Sequence, residues 1–314
     1  MEHYKGKKCI VTGGAGFIGQ NLVKKLLEYG AFVTVIDNFS YGAKREEIPA
    51  DADIIEGDVR DSKIFEQLPE SQYDYLFHFA APSSTVLFDE NLPDAVDITV
   101  RGFLNMIHYA ATHNIRFVYP STGSLYNGIE PPHTETAVLN ITAQNEYAKT
   151  KIELEQLAKI YKRSINSLGL RILAGYGPGE MHKGKFQGVV YGFCLSMIKG
   201  EAPVIWGDGG QRRDFVFIND IVDIVLTLAI DCPEPVVNVG TGTDISFKET
   251  VELINRNIEK PIEPTFVPKP KIYLEKTMAD TTLLRKYYTK PFTPIEEGVK
   301  ITIESIKKEL NLSS

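Results

Sequence analysis

The chain has 314 residues, 43% hydrophobic and 24% charged, which is enough for one large core or two domains and too apolar for a disordered chain. Its 34 Lys and Arg against 41 Asp and Glu leave a formal charge of −7, which argues against non-specific binding to nucleic acid. Cys9, Cys194 and Cys232 form no CxxC pair, so neither zinc nor a disulfide framework is indicated, and no run reaches the roughly 18 apolar residues of a membrane span. The stretch before the first glycines has no apolar run of signal-peptide length. A cytoplasmic protein with no metal, no membrane contact and no nucleic acid partner is therefore expected.

In chain order, residues 9–12 (CIVT) predict a buried strand. Residues 17–29 carry apolar side chains at Phe17, Ile18, Leu22, Val23, Leu26 and Leu27, a helical period, and Gly30 follows as a C-cap. Strands are predicted at 32–36, 53–56, 75–79, 117–119 and 170–173, and long helices at 94–113 and 144–162. Beyond them Gly, Pro and Lys cluster in 175–188, a predicted loop, and helices are expected at 189–199, 220–229, 247–258 and 295–310. Strands alternating with helices predict βαβ units, hence the α/β class and a Rossmann-like doubly wound parallel sheet. The expected domains are 1–173, rejoined by about 207–240, and a smaller α/β C-terminal substrate domain at 174–314.

Gly13, Gly16 and Gly19 stand in a GxxGxxG spacing between the first strand and the first helix. The first allows a tight turn, the second a close approach of backbone to a pyrophosphate, and the third close helix–sheet packing. The helix start adds N–H groups and a positive dipole end. Asp37 ends the second strand, where an acid accepts from a ribose 2′-OH and repels a 2′-phosphate. No Arg immediately follows it, which favours NAD over NADP. Asp58 follows the third strand and is either an acceptor for the adenine amino group or a solvated loop acid.

Tyr147 and Lys151 form YxxxK, one turn apart on one helical face. A phenol with a pKa near about 10 is a weak base at neutral pH, and bringing it to about 7 takes roughly 4 kcal/mol of stabilisation. A nearby ammonium and a positive nicotinamide ring act in that direction. Residues 120–126 (PSTGSLY) follow the strand at 117–119, so Thr122 is placed to align a substrate hydroxyl with Tyr147, with Ser121 and Ser124 as competitors.

Residues 12–19 (TGGAGFIG), Asp37-Asn38, 57–59 (GDV), 78–81 (HFAA), 120–126, 147–151 (YAKTK), 170–180 (LRILAGYGPGE) and 206–220 (WGDGGQRRDFVFIND) together resemble the extended short-chain dehydrogenase/reductase family, in its nucleotide-sugar epimerase and dehydratase branch. The resemblance spans nearly the whole chain. It implies NAD held by Gly13, Gly16, Phe17, Ile18, Gly19, Asp37, Asn38, Asp58 and Val59, with Phe79, Ala80 and Ala81 beneath the cofactor and Tyr147 and Lys151 beside it. It implies a nucleoside-diphosphate sugar contacted by Ser83, Thr122, Ser124, Tyr147, Val204, Trp206 and Arg213. Arg213 would grip the diphosphate, although the residues alone leave it equally a surface ion-pair partner. A homodimer through the helices at 94–113 and 144–162 is also implied, with Phe103, Met106, Ile107, Leu154 and Leu157 as surplus apolar residues. Departures stand at Ala174 and Thr99, where the family often has Asn, and near Ser83, where it often has a basic residue or other polar group. An Arg usually found before Ala279-Asp280 is missing, with only Lys269 or Lys271 to replace it.

The branch shares a first step, in which Tyr147 takes the C4-OH proton while C4 gives hydride to NAD. Dehydratases and decarboxylases of the family carry an acid directly after the Thr or close to it, and here Gly123 and Ser124 occupy those places. GDP-mannose 3,5-epimerases use a Cys at the place of Ser124 with a Lys in the later loop, where Lys183 and Lys185 stand, and that Cys is missing. The expectation is a 4-epimerase of the UDP-glucose/UDP-galactose type. The alternatives are 3,5-epimerase-like or other dehydratase or reductase chemistry, and, in another class, a non-catalytic NAD-binding regulator.

Overall fold

The computed structural model describes residues 1–69, 72–139, 144–269 and 273–312. The chain divides into two compact units, one made of Met1–Thr122, Asn145–Arg171 and Val222–Val237, the other of Gly123–Gln144, Ile172–Ile221 and Asn238–Ser314.

With strands and helices numbered along the chain, β1 (Lys8–Thr12), β2 (Phe32–Asp37), β3 (Asp53–Glu56), β4 (Tyr75–His78), β5 (Arg116–Thr122), β6 (Ser167–Ile172) and β11 (Val236–Val239) form one parallel sheet in the order β11-β6-β5-β4-β1-β2-β3. Val11 pairs with Val35 on one side and with Phe77 on the other. The strand order turns back at β1, so the carboxyl ends of β1, β2 and β4 frame a topological switch point, the place where such sheets take ligands. This is the Rossmann-like α/β fold expected. The apolar runs at 10–11, 33–36 and 75–77 are buried because the sheet is covered on both faces.

α1 (Phe17–Glu28) ends at Tyr29, and Gly30 follows at φ +76°, the left-handed turn the glycine allows. α3 (Leu92–Thr112) starts ahead of the predicted 94 because the Asn91 side chain accepts from the Asp94 N–H and Pro93 suits the first turn. α2 (Thr85–Glu90) is absent from the prediction, since six residues give too little periodicity to read. α4 (Glu146–Tyr161) is capped by Asn145, whose Oδ1 accepts from the Ala148 N–H at 2.9 Å. β5 runs to Thr122, beyond the apolar run at 117–119, because its polar end finds hydrogen-bond partners inside the protein.

Ile10, Ile36, Leu76 and Phe117 from the strands meet Phe103, Met106 and Ile107 of α3 and Leu154 and Ala158 of α4 in one core. Phe103, Met106, Ile107 and Leu154 are at most 2% exposed there, so they are no surplus for a dimer face.

In the second unit, β7 (Ala174–Tyr176) pairs in parallel with β10 (Phe215–Phe217), β8 (Val204–Trp206) in parallel with β13 (Thr265–Val267), and β9 (Arg212–Arg213) antiparallel to β12 (Ile245–Ser246). The predicted loop at 175–188 thus begins inside β7 and continues through the 3-10 segment Met181–Phe186. α5 (Val189–Ile198) packs against α7 (Phe247–Asn255) and α8 (Ile295–Glu309). α7 opens on a capping box of Ser246 and Glu249. α6 (Ile218–Asp231) precedes β11. Among the described residues no helix is long and apolar enough to cross a membrane.

Candidate active site

The glycine loop tolerates no side chain where it matters. A Cβ on Gly13 would sit 2.6 Å from the Ala80 nitrogen, and one on Gly19 only 1.9 Å from the Gly13 oxygen. Gly13 lies at φ +70°, and its N–H donates to the Ile36 oxygen at 2.9 Å, binding the turn to β2. Gly16 caps α1 without a side-chain hydrogen bond, and no acid stands in the first turn, so the positive end of the helix stays available to a phosphate. Phe17 and Ile18 form that first turn. Phe79, Ala80 and Ala81 follow β4, with the Phe79 N–H on the Thr12 carbonyl at 3.0 Å and the Ala80 N–H on the Thr12 hydroxyl at 3.3 Å.

Asp37 is buried at the end of β2 and reaches the same loop. Its carboxylate accepts from the Ala15 N–H at 2.9 Å and the Phe39 N–H at 2.8 Å. Burial pushes its pKa up, and these backbone donors pull against that. Asn38 is exposed and donates toward Asp58 at 3.4 Å. Asp58 is forked with Arg60, Nε to Oδ1 at 3.0 Å and Nη2 to Oδ2 at 2.7 Å, which holds its pKa below the ordinary range. Both of its oxygens are thus already engaged, and an adenine amino group would share them. Arg60 went unread in the sequence; it also reaches Asp94 at 2.6 Å, and Asp94 lies too far along the chain for spacing to reveal the pair. Val59 beside them is buried.

Thr122, at the end of β5, and Tyr147, in the first turn of α4, share a side-chain hydrogen bond. Thr122 is 5% exposed, Tyr147 8% and Lys151 3%. The Tyr147 ring stands edge-on to Phe88, centroids 5.3 Å apart, and the Lys151 ammonium lies 6.0 Å from the Tyr147 centroid. Burial raises the Tyr147 pKa while the Thr122 hydrogen bond lowers it, and burial brings Lys151 down to about 8. Against expectation, burial and Thr122, and not Lys151, move the phenol. Ser121 turns away: its hydroxyl donates to Glu155 at 2.5 Å, inside a buried pair of Glu155 with Arg171 at 2.9 and 2.8 Å. His78 stands at the end of β4. Its ring is buried, Nδ1 lies 2.7 Å from the Thr12 hydroxyl, and burial plus the Lys151 charge push its pKa to about 3, so it is neutral. The Thr12 hydroxyl thus joins the Ala80 N–H to the His78 ring at the end of β1.

The first unit therefore gathers the loop glycines, Asp37, the 79–81 turn, Thr122, Tyr147 and Lys151 at the carboxyl ends of its strands. Ser83 is exposed there, and Thr99 spends its hydroxyl on the Ala95 carbonyl of its own helix at 2.7 Å. A dinucleotide fits this set: the glycine cradle would be filled by any Cβ, the helix end is uncapped, and a buried acid faces the loop. In the second unit, Ser124 is half-buried in a 3-10 turn, and Ala174 stands on β7. Arg213 is buried between the Phe247 and Tyr273 rings, 5.3 and 5.5 Å from their centroids, and donates to the Arg212, Leu274 and Glu275 carbonyls. It is not a surface ion-pair residue, and a diphosphate would compete with those carbonyls. Val204 and Trp206 are 55% and 41% exposed on β8. Lys183 pairs with buried Glu180 at 2.8 Å, Lys185 lies over Phe186, and Lys269 pairs with Glu275. Lys271 lies outside the described residues.

The sequence pattern of the NAD dependent epimerase/dehydratase family matches residues 9–240. A Methanocaldococcus jannaschii protein provisionally named UDP-glucose 4-epimerase is 31% identical over 312 residues, 95% of this chain and 98% of that one. The UDP-glucose 4-epimerase of Thermotoga maritima, solved with UDP-glucose, superposes with a TM-score of 0.90 at 28% identity, covering 96% of this chain and 99% of that one. The UDP-N-acetylglucosamine 4-epimerase of Methanobrevibacter ruminantium, in complex with UDP-N-acetylmuramic acid, gives 0.89 at 26% identity over 97% and 99%.

Proposed function

The chain belongs to the NAD-dependent epimerase/dehydratase family and is an enzyme of nucleotide sugars, and from that premise we propose that it inverts C4 of a nucleoside-diphosphate sugar through a transient 4-keto sugar. One observation carries the choice of reaction. Directly after Thr122, a Cβ on Gly123 would meet the Leu173 side chain at 2.9 Å and its Cα at 3.3 Å. An elimination acid has no room at that position, and Ser124 beside it is no acid either. What remains is the proton-handling group Thr122–Tyr147–Lys151, which suffices for removal and return of a hydride.

When bound, NAD supplies the hydride acceptor and donor and a positive ring that favours the Tyr147 phenolate. Tyr147 removes the C4 hydroxyl proton and later gives one back, acting as base and then acid. Thr122 shares the hydrogen bond with Tyr147 and aligns the C4 oxygen. Lys151, buried and mostly protonated at pH 7, adds positive charge one turn from the phenol. Asp37 and the glycine loop hold the dinucleotide so that it is retained between half-steps. Arg213, Val204 and Trp206 are assigned to the nucleotide part of the substrate, and Ser83 and Ser124 to the sugar.

A panel of UDP-, GDP- and dTDP-sugars in deuterated water, followed by NMR, tests this. Inversion at C4 with protium retained there is the expected result. Deuterium at C5, or a 4-keto-6-deoxy product, would move the protein to the 3,5-epimerase or dehydratase reactions.

A further inference from the structure

A second cavity, of about 360 Å³, opens in the first unit at the amino ends of β5, β6 and β11, the edge of the sheet opposite the glycine loop and Thr122. Its volume lies within the range of small-molecule sites. Lys159, Lys162 and Arg163 stand exposed at its mouth, a concentration of positive charge on a chain whose net charge is −7. At its floor are Tyr119 and Glu155. The Glu155 charge is already matched by Arg171. The Tyr119 hydroxyl stands apart: the residue is 1% exposed and its oxygen has no hydrogen-bond partner among the described residues. A buried hydroxyl left unpaired costs free energy, and a ligand atom at the floor would remove that cost. Gly169 on β6 leaves the room that the Tyr119 hydroxyl itself occupies, since a Cβ there would come 2.8 Å from its oxygen. Pro233 and Pro235 give one wall an apolar surface suited to a ring.

We infer that this cavity binds a phosphate monoester carried on a small ring, with the phosphate between Lys159, Lys162 and Arg163 and a ring hydroxyl or amino group at Tyr119. Three cationic side chains with several N–H donors match the charge and the three oxygens of a phosphate. The carboxyl end of α4 opposes an anion with about −0.5 of a charge, which three full positive charges outweigh. The site is separate from the catalytic one. Tyr147 and Lys162 stand at opposite ends of α4, about 22 Å apart at about 1.5 Å per residue.

Titration calorimetry on the NAD-loaded protein, with UDP saturating the nucleotide-sugar site, tests the inference with inorganic phosphate, glucose 6-phosphate and AMP as probes. At least one ester is expected to bind more tightly than inorganic phosphate. The exposed double variant Lys162→Ala/Arg163→Ala, with an unchanged Tm, should weaken that binding about tenfold or more, and Tyr119→Phe should weaken it several-fold. The inference is overturned if no ester binds, if inorganic phosphate binds as tightly as both esters, or if the double variant leaves the affinity unchanged.

Discussion

Tyr147 is a base whose own burial works against it. Burial holds the phenol protonated, with the Thr122 hydrogen bond pulling the other way. Its activation therefore waits on charge brought beside it. Replacing Tyr147 by Phe removes the proton carrier and keeps the ring against Phe88, so kcat should fall by a factor on the order of 10² to 10⁴ with NAD affinity nearly unchanged. Stopped turnover together with lost NAD binding would mean that the hydroxyl also holds the cofactor, so that the fall in kcat could not be read as loss of the base alone. Lys151 sets a pH limit. Its value of about 8 lies below the ordinary 10.5, so its charge is present below pH 8 and disappears above it. Between those values the unfolded chain keeps a proton the folded chain has released, so Lys151 opposes folding below pH 8 and this opposition fades as pH rises. For catalysis the order is reversed: kcat/KM, which reports the free enzyme, is expected to fall above about pH 8. A Lys151→Met enzyme should be weak at every pH and lack that limb. Persistence of the limb in the variant would assign it to another group.

At the scale of elements, β5 and α4 are joined by a buried lock. Arg171 on β6 forks Glu155 on α4, and Glu155 takes the hydroxyl of Ser121, the residue before Thr122. The side chains of the charged pair are 7% and 4% exposed. Removing one partner leaves a buried charge unpaired, so Arg171→Leu should destabilise the protein by about 3–5 kcal/mol in chemical denaturation. The double change with Glu155→Gln should recover part of that loss. If the single variant is no less stable than the parent, the lock contributes nothing. Because Ser121 and Thr122 are adjacent, their side chains leave the strand on opposite faces, one to the lock and one to Tyr147. This alternation is why Ser121 does not compete for the substrate hydroxyl in the folded chain, a distinction that three neighbouring hydroxyls in PSTGS do not reveal by themselves.

At the scale of the molecule, the homodimer through α3 and α4 remains a proposal carried by the family resemblance. Phe103, Met106, Ile107 and Leu154 on these helices lie in this chain's own core and are not free to form the dimer face. Outward apolar surface on α4 is represented by Ile160, 73% exposed. Light scattering at micromolar concentration should nevertheless return twice the 35.1 kDa chain mass, and a monomer would remove the proposal.

The sequence by itself determined six of the seven strands of the sheet, the glycine loop with Asp37, and the Tyr147–Lys151 spacing. Each leaves a local mark in the chain: an apolar run for a strand, closely spaced glycines for a turn and a one-turn offset for a helix face, although the Ala80 backbone that a Cβ on Gly13 would meet is brought there only by packing. It did not show α2 or β11, which are too short for a periodicity, nor that β5 continues into polar residues. Only the tertiary structure decided the partners of the long polar side chains. Arg60 reaches Asp94, Glu155 reaches Ser121 and Arg171, and Arg213 ends on the Leu274 and Glu275 carbonyls. Each pair is remote along the chain and adjacent only after packing, and a buried polar group takes whichever partner the fold brings to it. The cavity at the amino ends of the strands has the same origin, for its cations and the unpaired Tyr119 hydroxyl come together only when β5, β6, β11 and the end of α4 are assembled.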